Sequence, residues 1–146
     1  MGICSSGIGD DVCRGCHRFA YEVIDWNSYS DQQRGLVLAR LEDFLLRVMR
    51  LKIERIELDM FYEELERLGI DVDTHRDPYL SFYDLLKARQ LRELNIAPSA
   101  LGIRLRSTCR YLNLAALQES IEKELAELST AHFERYIAPG IIAARK

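Results

Sequence analysis

From Ser30 onward the chain carries the pattern that most limits how it can fold. Apolar residues stand at Val37, Leu41, Phe44, Leu45 and Val48, and Arg40, Asp43, Arg47 and Arg50 fall between them. This spacing puts the first set on one stripe of a 3.6-residue helix and the second opposite. Ser30-Asp31-Gln32-Gln33 supplies the start: a serine N-cap, a glutamine three residues on to close a capping box, and an aspartate at the positive end of the dipole. The expected helix runs to about Lys52, and its apolar stripe must be covered by other elements.

The remaining pattern supplies those elements. A short helix is expected over 19–26, ended by the polar Asn27-Ser28 turn. Asp59 reads as the next N-cap, with Phe61, Leu65 and Leu68 as the stripe and Gly69 as the stop. After a polar connection, Asp77-Pro78 pairs an N-cap with an N1 proline and opens a helix to about Leu94. Pro98-Ser99 punctuates again, and a short helix is expected from Ala100 to Arg106. The last long helix begins at Asn113, carries Leu114, Leu117, Ile121, Leu125, Leu128 and His132 close to a heptad seam, and ends at Pro139-Gly140. The tail 141–146 is expected to fray. Lys52 to Leu58 alternates weakly, and no segment carries a firm strand pattern. The expected fold is all-α, a small bundle of about five helices behind an irregular, cysteine-rich N-terminal loop.

With 146 residues and 48% hydrophobic content, the chain suits one self-supporting core. A single domain over 1–146 is expected: a cysteine-rich motif with the first helices over 1–41, a helical extension over 42–138, and a tail over 139–146. No basic region followed by an apolar run resembles a signal peptide, and no apolar run nears the ~20 residues of a membrane helix. The expected setting is the cytoplasm, without a membrane partner, where cysteines serve as thiols or metal ligands rather than stable disulfides.

Met1 to Arg18 has no hydrophobic period, yet it holds three of the four cysteines: Cys4, Cys13 and Cys16. The two residues between Cys13 and Cys16 let both sulfurs face one ion, Gly15 permits the tight turn, and Arg14 and Arg18 favour thiolates. A metal would supply the folding free energy that such a loop otherwise lacks. Three thiolates leave a tetrahedral site open; His17, Cys109, His75, His132, Asp10, Asp11 or a second chain are the candidates for the fourth ligand. Ligand type does not separate an iron–sulfur cluster from zinc. The competing reading is three unligated thiols. Cys13 to His17 also spells C-x-x-C-H, the attachment motif of c-type haem, which the third cysteine and the missing export signal disfavour.

Cys4, then Val12-Cys13-Arg14-Gly15-Cys16-His17-Arg18, Glu22-Val23-Ile24, Trp26, Tyr29 to Arg34 and Val37 to Leu41 together resemble the bacterial domain-of-unknown-function family 1289, commonly described as predicted iron–sulfur binding. The resemblance spans about Ile3 to Leu41. It implies a metal site at Cys4, Cys13, Cys16 and His17, holding an iron–sulfur cluster or, alternatively, zinc, in a structural or electron-carrying role. The family usually has a second cysteine upstream of the turn and often glycine at the position of His17. Trp26 and Tyr21 are expected to pack over the loop, with Glu22 and Arg34 as ordinary surface groups.

The net charge of −3 argues against a dedicated polyanion binder. Charge is nonetheless uneven. Between Asp84 and Tyr111, six basic residues (Lys87, Arg89, Arg92, Arg104, Arg106, Arg110) face two acids, Asp84 and Glu93. Such a run is ordinarily the solvated face of helices. The functional alternative is an adaptor that meets a protein, or less readily a nucleic acid, through the 87–110 face. No catalytic constellation is visible: there is no phosphate loop, no nucleophile elbow, and no Glu-x-x-His pair around His132 or His75. The expected role is non-enzymatic, with a protein redox or adaptor partner.

Overall fold

The structure is a computed structural model that describes residues 11–13, 15–88 and 91–140. It is helical, with α1 at Ala20–Asp25, α2 at Asp31–Lys52, α3 at Leu58–Arg67, α4 at Pro78–Lys87 and α5 at Leu114–His132. Single 3-10 turns lie at Trp26–Ser28, Arg92–Leu94, Pro98–Leu101 and Ser107–Cys109. Beyond α5 the helix widens into a π-helical turn over Phe133–Ile137. Two short strands, β1 at Ile53–Ile56 and β2 at Ile103–Leu105, pair antiparallel. No helix among the described residues is long and apolar enough to cross a membrane.

Local chemistry sets the helix ends. Ser30 Oγ accepts from the Gln33 amide at 3.1 Å and Gln33 Oε1 accepts from the Ser30 amide at 2.8 Å, closing the capping box that opens α2. Asp77 Oδ1 accepts from the Tyr79 amide at 2.9 Å, with Pro78 at the first helical position of α4. Asn113 Oδ1 accepts from the Ala116 amide at 2.8 Å and caps α5. Gly69, at φ 74°, ends α3 in the left-handed conformation that only glycine enters freely.

Three boundaries differ from the sequence expectation. The residues after Lys52 form β1, so α3 begins at Leu58 with Glu57, not Asp59, in the N-cap position. α4 stops at Lys87, and Asn95, at φ 51°, closes the 3-10 turn that follows. The helix expected from Ala100 to Arg106 is instead a 3-10 turn, then Gly102 at φ 74°, then β2. A Cβ at Gly102 would stand 2.8 Å from the Glu57 carbonyl oxygen, so glycine there permits the close approach of the two chain segments as well as the turn. In β2, Ile103 and Leu105 are buried and Arg104 is exposed, the period-two pattern of a strand compressed into three residues.

The chain forms two compact units, one from the residues up to Phe44 with those from Lys123 on, the other from Leu45 to Glu122. In the first, Val12, Phe19 and Phe133 form a buried cluster with Ile137 and Ala138 packed against it. The His132 ring lies 6.0 Å from that of Phe19, 5.2 Å from Phe44 and 5.0 Å from Tyr136. In the second, the Pro98–Leu101 turn packs on both β2 and α3. Phe61, Leu65, Phe82, Leu86 and Ile103 are buried there, with the Phe61 and Phe82 rings edge to face at 6.3 Å.

Candidate binding cleft and the cysteine turn

The cysteine turn is closed by its own backbone. Val12 and Phe19 form an antiparallel bridge, the Cys13 amide donates to the Arg18 carbonyl at 2.8 Å, and the His17 amide donates to the Cys13 carbonyl at 2.9 Å. His17 sits at φ 63°, in the left-handed region where glycine is more comfortable. Cys13 is wholly buried, Cys16 is half-buried, and Arg18 Nε donates to Cys16 Sγ at 3.1 Å. Cys4, Asp10 and Arg14 lie outside the described residues. Cys109 is buried beside Thr108, His75 is exposed in its loop, and His132 lies among aromatic rings.

Among the described residues, no group of three or more His, Cys, Asp and Glu side chains is placed to hold a metal ion. The expected iron–sulfur cluster, and zinc as its alternative, are therefore corrected. Physically, the ordering that the sequence reading assigned to a metal comes instead from the backbone pairing across 12–19 and from burial of Val12 and Phe19.

Two further expectations change. Glu22 is no surface group. It is buried, accepts from the Phe19 amide at 2.9 Å, and holds the Arg40 guanidinium by two hydrogen bonds of 2.6 and 2.8 Å. The same guanidinium lies 4.0 Å from the Phe19 ring centre. Arg34 is half-buried and donates to the Trp26 and Asn27 carbonyls, tying the start of α2 to the turn before it. Trp26 takes the Arg18 guanidinium on its face at 4.6 Å, whereas Tyr21 is 36% exposed.

The second unit carries a cleft of about 790 Å³, lined by Glu57 and Met60, by residues 97–99 and 102–105, and by residues 110–113. Its volume lies inside the roughly 300–1,000 Å³ usual for ligand sites. The Arg104 and Arg110 side chains are exposed, and neither meets a hydrogen-bond or ion-pair partner among the described residues. The Glu57 carboxylate is engaged by Arg55 at 2.8 Å. Asp59 borders an adjoining depression with Arg104, not the cleft itself. Tyr111, 84% exposed, lines the same cleft. Of the other basic residues in the 87–110 run, Arg106 donates to the Arg50 carbonyl at 2.7 Å, and Lys87 Nζ stands 5.8 Å from the Tyr83 ring centre. Sequence spacing placed Arg104 and Arg110 in a basic run, but the cleft depends on a turn at Gly102 and on strand pairing that the spacing does not encode.

Residues 1–45 match the family described as a protein of unknown function (DUF1289). The match covers 45 of 146 residues, so most of the second unit, cleft included, lies beyond it. No curated protein and no solved structure matches the chain.

Proposed function

We propose that the protein is a helical adaptor, a non-enzymatic binding protein that docks the acidic segment of a protein partner in the cleft of its second unit. The observation that carries this reading is the pair Arg104 and Arg110, both without an ionic partner among the described residues, on the border of a cleft that also presents an exposed tyrosine. Arginine and tyrosine are the side chains that most often anchor interfaces, because each offers a large rigid contact with a polar end. Met60, 45% exposed, adds apolar lining for a partner side chain.

A nucleic acid suits the site less well. Phosphate-tracking surfaces gain affinity by neutralising many phosphates, and here Glu57 and Asp59 flank two arginines on a chain of net charge −3. In this reading the first unit is a scaffold and the protein works in the cytoplasm, where its thiols stay reduced.

Panning a random dodecamer display library against the purified protein tests the reading. The expected result is enrichment of acidic peptides that lose at least tenfold in affinity to Arg104→Glu or Arg110→Glu. Enrichment of nothing, or of peptides indifferent to both reversals, contradicts it.

A further inference from the structure

The apolar stripe of α3 begins outside the core. Leu58, Phe61 and Leu65 are spaced by three and four positions, which puts them on one face of the helix. Phe61 and Leu65 are buried, but Leu58 is 47% exposed, and Met60 beside Phe61 is 45% exposed. The fold thus leaves two large apolar side chains in water within the first turn of α3. Exposed apolar residues are ordinary when scattered and informative when grouped.

Asp59 lies between these two, and the three share one depression with Glu57 and Arg104. The Asp59 and Arg104 side chains are exposed and carry opposite charges, yet neither meets a hydrogen-bond or ion-pair partner among the described residues. Glu57 is already engaged by Arg55. The helix dipole accounts for an acid in the first turn of α3. It accounts neither for the exposed apolar residues on either side of that acid nor for an unpaired arginine in the same depression.

A surface with this composition complements itself. A twofold axis presents the same patch on both partners, so residue i of one copy meets j of the other and the reverse. Asp59 of one protomer can then face Arg104 of its partner, twice over, with Leu58 and Met60 of both copies between the two ion pairs. A foreign acidic segment in this depression would be repelled by Asp59, and a foreign basic one by Arg104. In the cleft, by contrast, Arg104 is accompanied by Arg110.

We infer that the chain pairs with a second copy of itself through the start of α3 and Arg104, as a twofold dimer. The inference goes beyond the adaptor reading and does not depend on it. Both states use Arg104, so a second copy and a docked acidic segment compete for that side chain. The patch is small, so the association is weak and reversible rather than obligate.

Sedimentation equilibrium of the intact protein tests it, over roughly 1 μM to 1 mM. The wild type is expected to pass from monomer to dimer within that range. Asp59→Arg and Arg104→Asp each bring like charges together at both contacts, and each is expected to weaken the dimer at least tenfold. Mixed in equal amounts, the two variants restore opposite charges at both contacts, and the mixture is expected to associate within about threefold of the wild type. Both side chains are exposed, so the fold is spared, and recovery in the mixture shows that neither variant lost its structure. A wild type that stays monomeric over the whole range overturns the inference, as does a dimer indifferent to both reversals. Loss in each variant without recovery in the mixture overturns it too.

Discussion

Glu22 and Arg40, eighteen residues apart, form a two-pronged ion pair with the carboxylate almost fully withdrawn from solvent. Glu22 Oε1 also accepts from the Phe19 amide, so one acid both caps α1 and anchors that short helix to α2. Six residues of helix are too few to persist alone in water, and this link is what holds them in place.

Removing one partner leaves the other charge buried and uncompensated, which typically costs about 3–5 kcal/mol. Glu22→Ala is therefore expected to destabilise the chain by about that much in urea unfolding. Arg40→Ala should fall toward the upper end, because the carboxylate it strands is only 4% exposed, whereas Glu22→Ala strands a guanidinium that is 19% exposed. A loss under about 1 kcal/mol for Glu22→Ala would show that the pair is a surface contact in solution.

Gly69 and Gly102 share a φ of 74° but differ in surroundings. Nothing lies within 4 Å of a Cβ at Gly69, whereas one at Gly102 would press on the Glu57 carbonyl at 2.8 Å. Gly69→Ala is expected to cost about 1–2 kcal/mol from left-handed strain alone. Gly102→Ala should cost clearly more and perturb the cleft, since the clash is with backbone that cannot rotate aside. Equal losses in thermal unfolding would contradict the close approach.

Tyr83 donates its hydroxyl to Glu122, and burial, followed by the charge of that acid, holds its pKa far above the usual value near 10. Below pH 10 the phenol is protonated whether the chain is folded or not, so it adds no pH dependence. Above pH 10 the unfolded chain gives up this proton and the folded chain does not, so stability falls as pH rises. Tyr83→Phe is expected to flatten the decline between about pH 10 and 12, with a residue left by Tyr21 and Tyr29, which are also raised. An unchanged alkaline slope in urea unfolding would show that Tyr83 ionises freely.

The cysteine turn is held by a backbone bridge and a buried phenylalanine, so its order should not depend on a bound ion. Exposure to a strong chelator is expected to leave the thermal midpoint unchanged, whereas Phe19→Ala should cost about 3–5 kcal/mol. A chelator-induced drop of several degrees, reversed by adding metal, would contradict this account of the turn.

What could be read in the sequence was what is local. The starts of α2, α4 and α5 follow from Ser30-Gln33, Asp77-Pro78 and Asn113, because a cap and its amide lie within three residues of each other. β1 and β2 were missed because each is three or four residues long and pairs with a partner some fifty positions away, so neither shows its pattern alone. Glu22 looked like surface because its partner is on another helix. The turn at Cys13 was read by its ligand chemistry, while the signal that ordered it was Val12 and Phe19 on either side, two apolar residues in an otherwise polar stretch. Arg104 and Arg110 stood out as charge, but only Gly102 and the ribbon make a cleft beside them.

The central claim is that Arg104 and Arg110 receive an acidic protein segment. The most direct measurement is the anisotropy-based affinity of a selected acidic dodecamer for the intact protein and for Arg104→Glu/Arg110→Glu, at low and high salt. The expected result is at least tenfold weaker binding by the variant, equivalent to about 1.4 kcal/mol, together with weakening of the wild type by salt that the variant lacks. Equal affinities for the two proteins at both salt concentrations would contradict the claim.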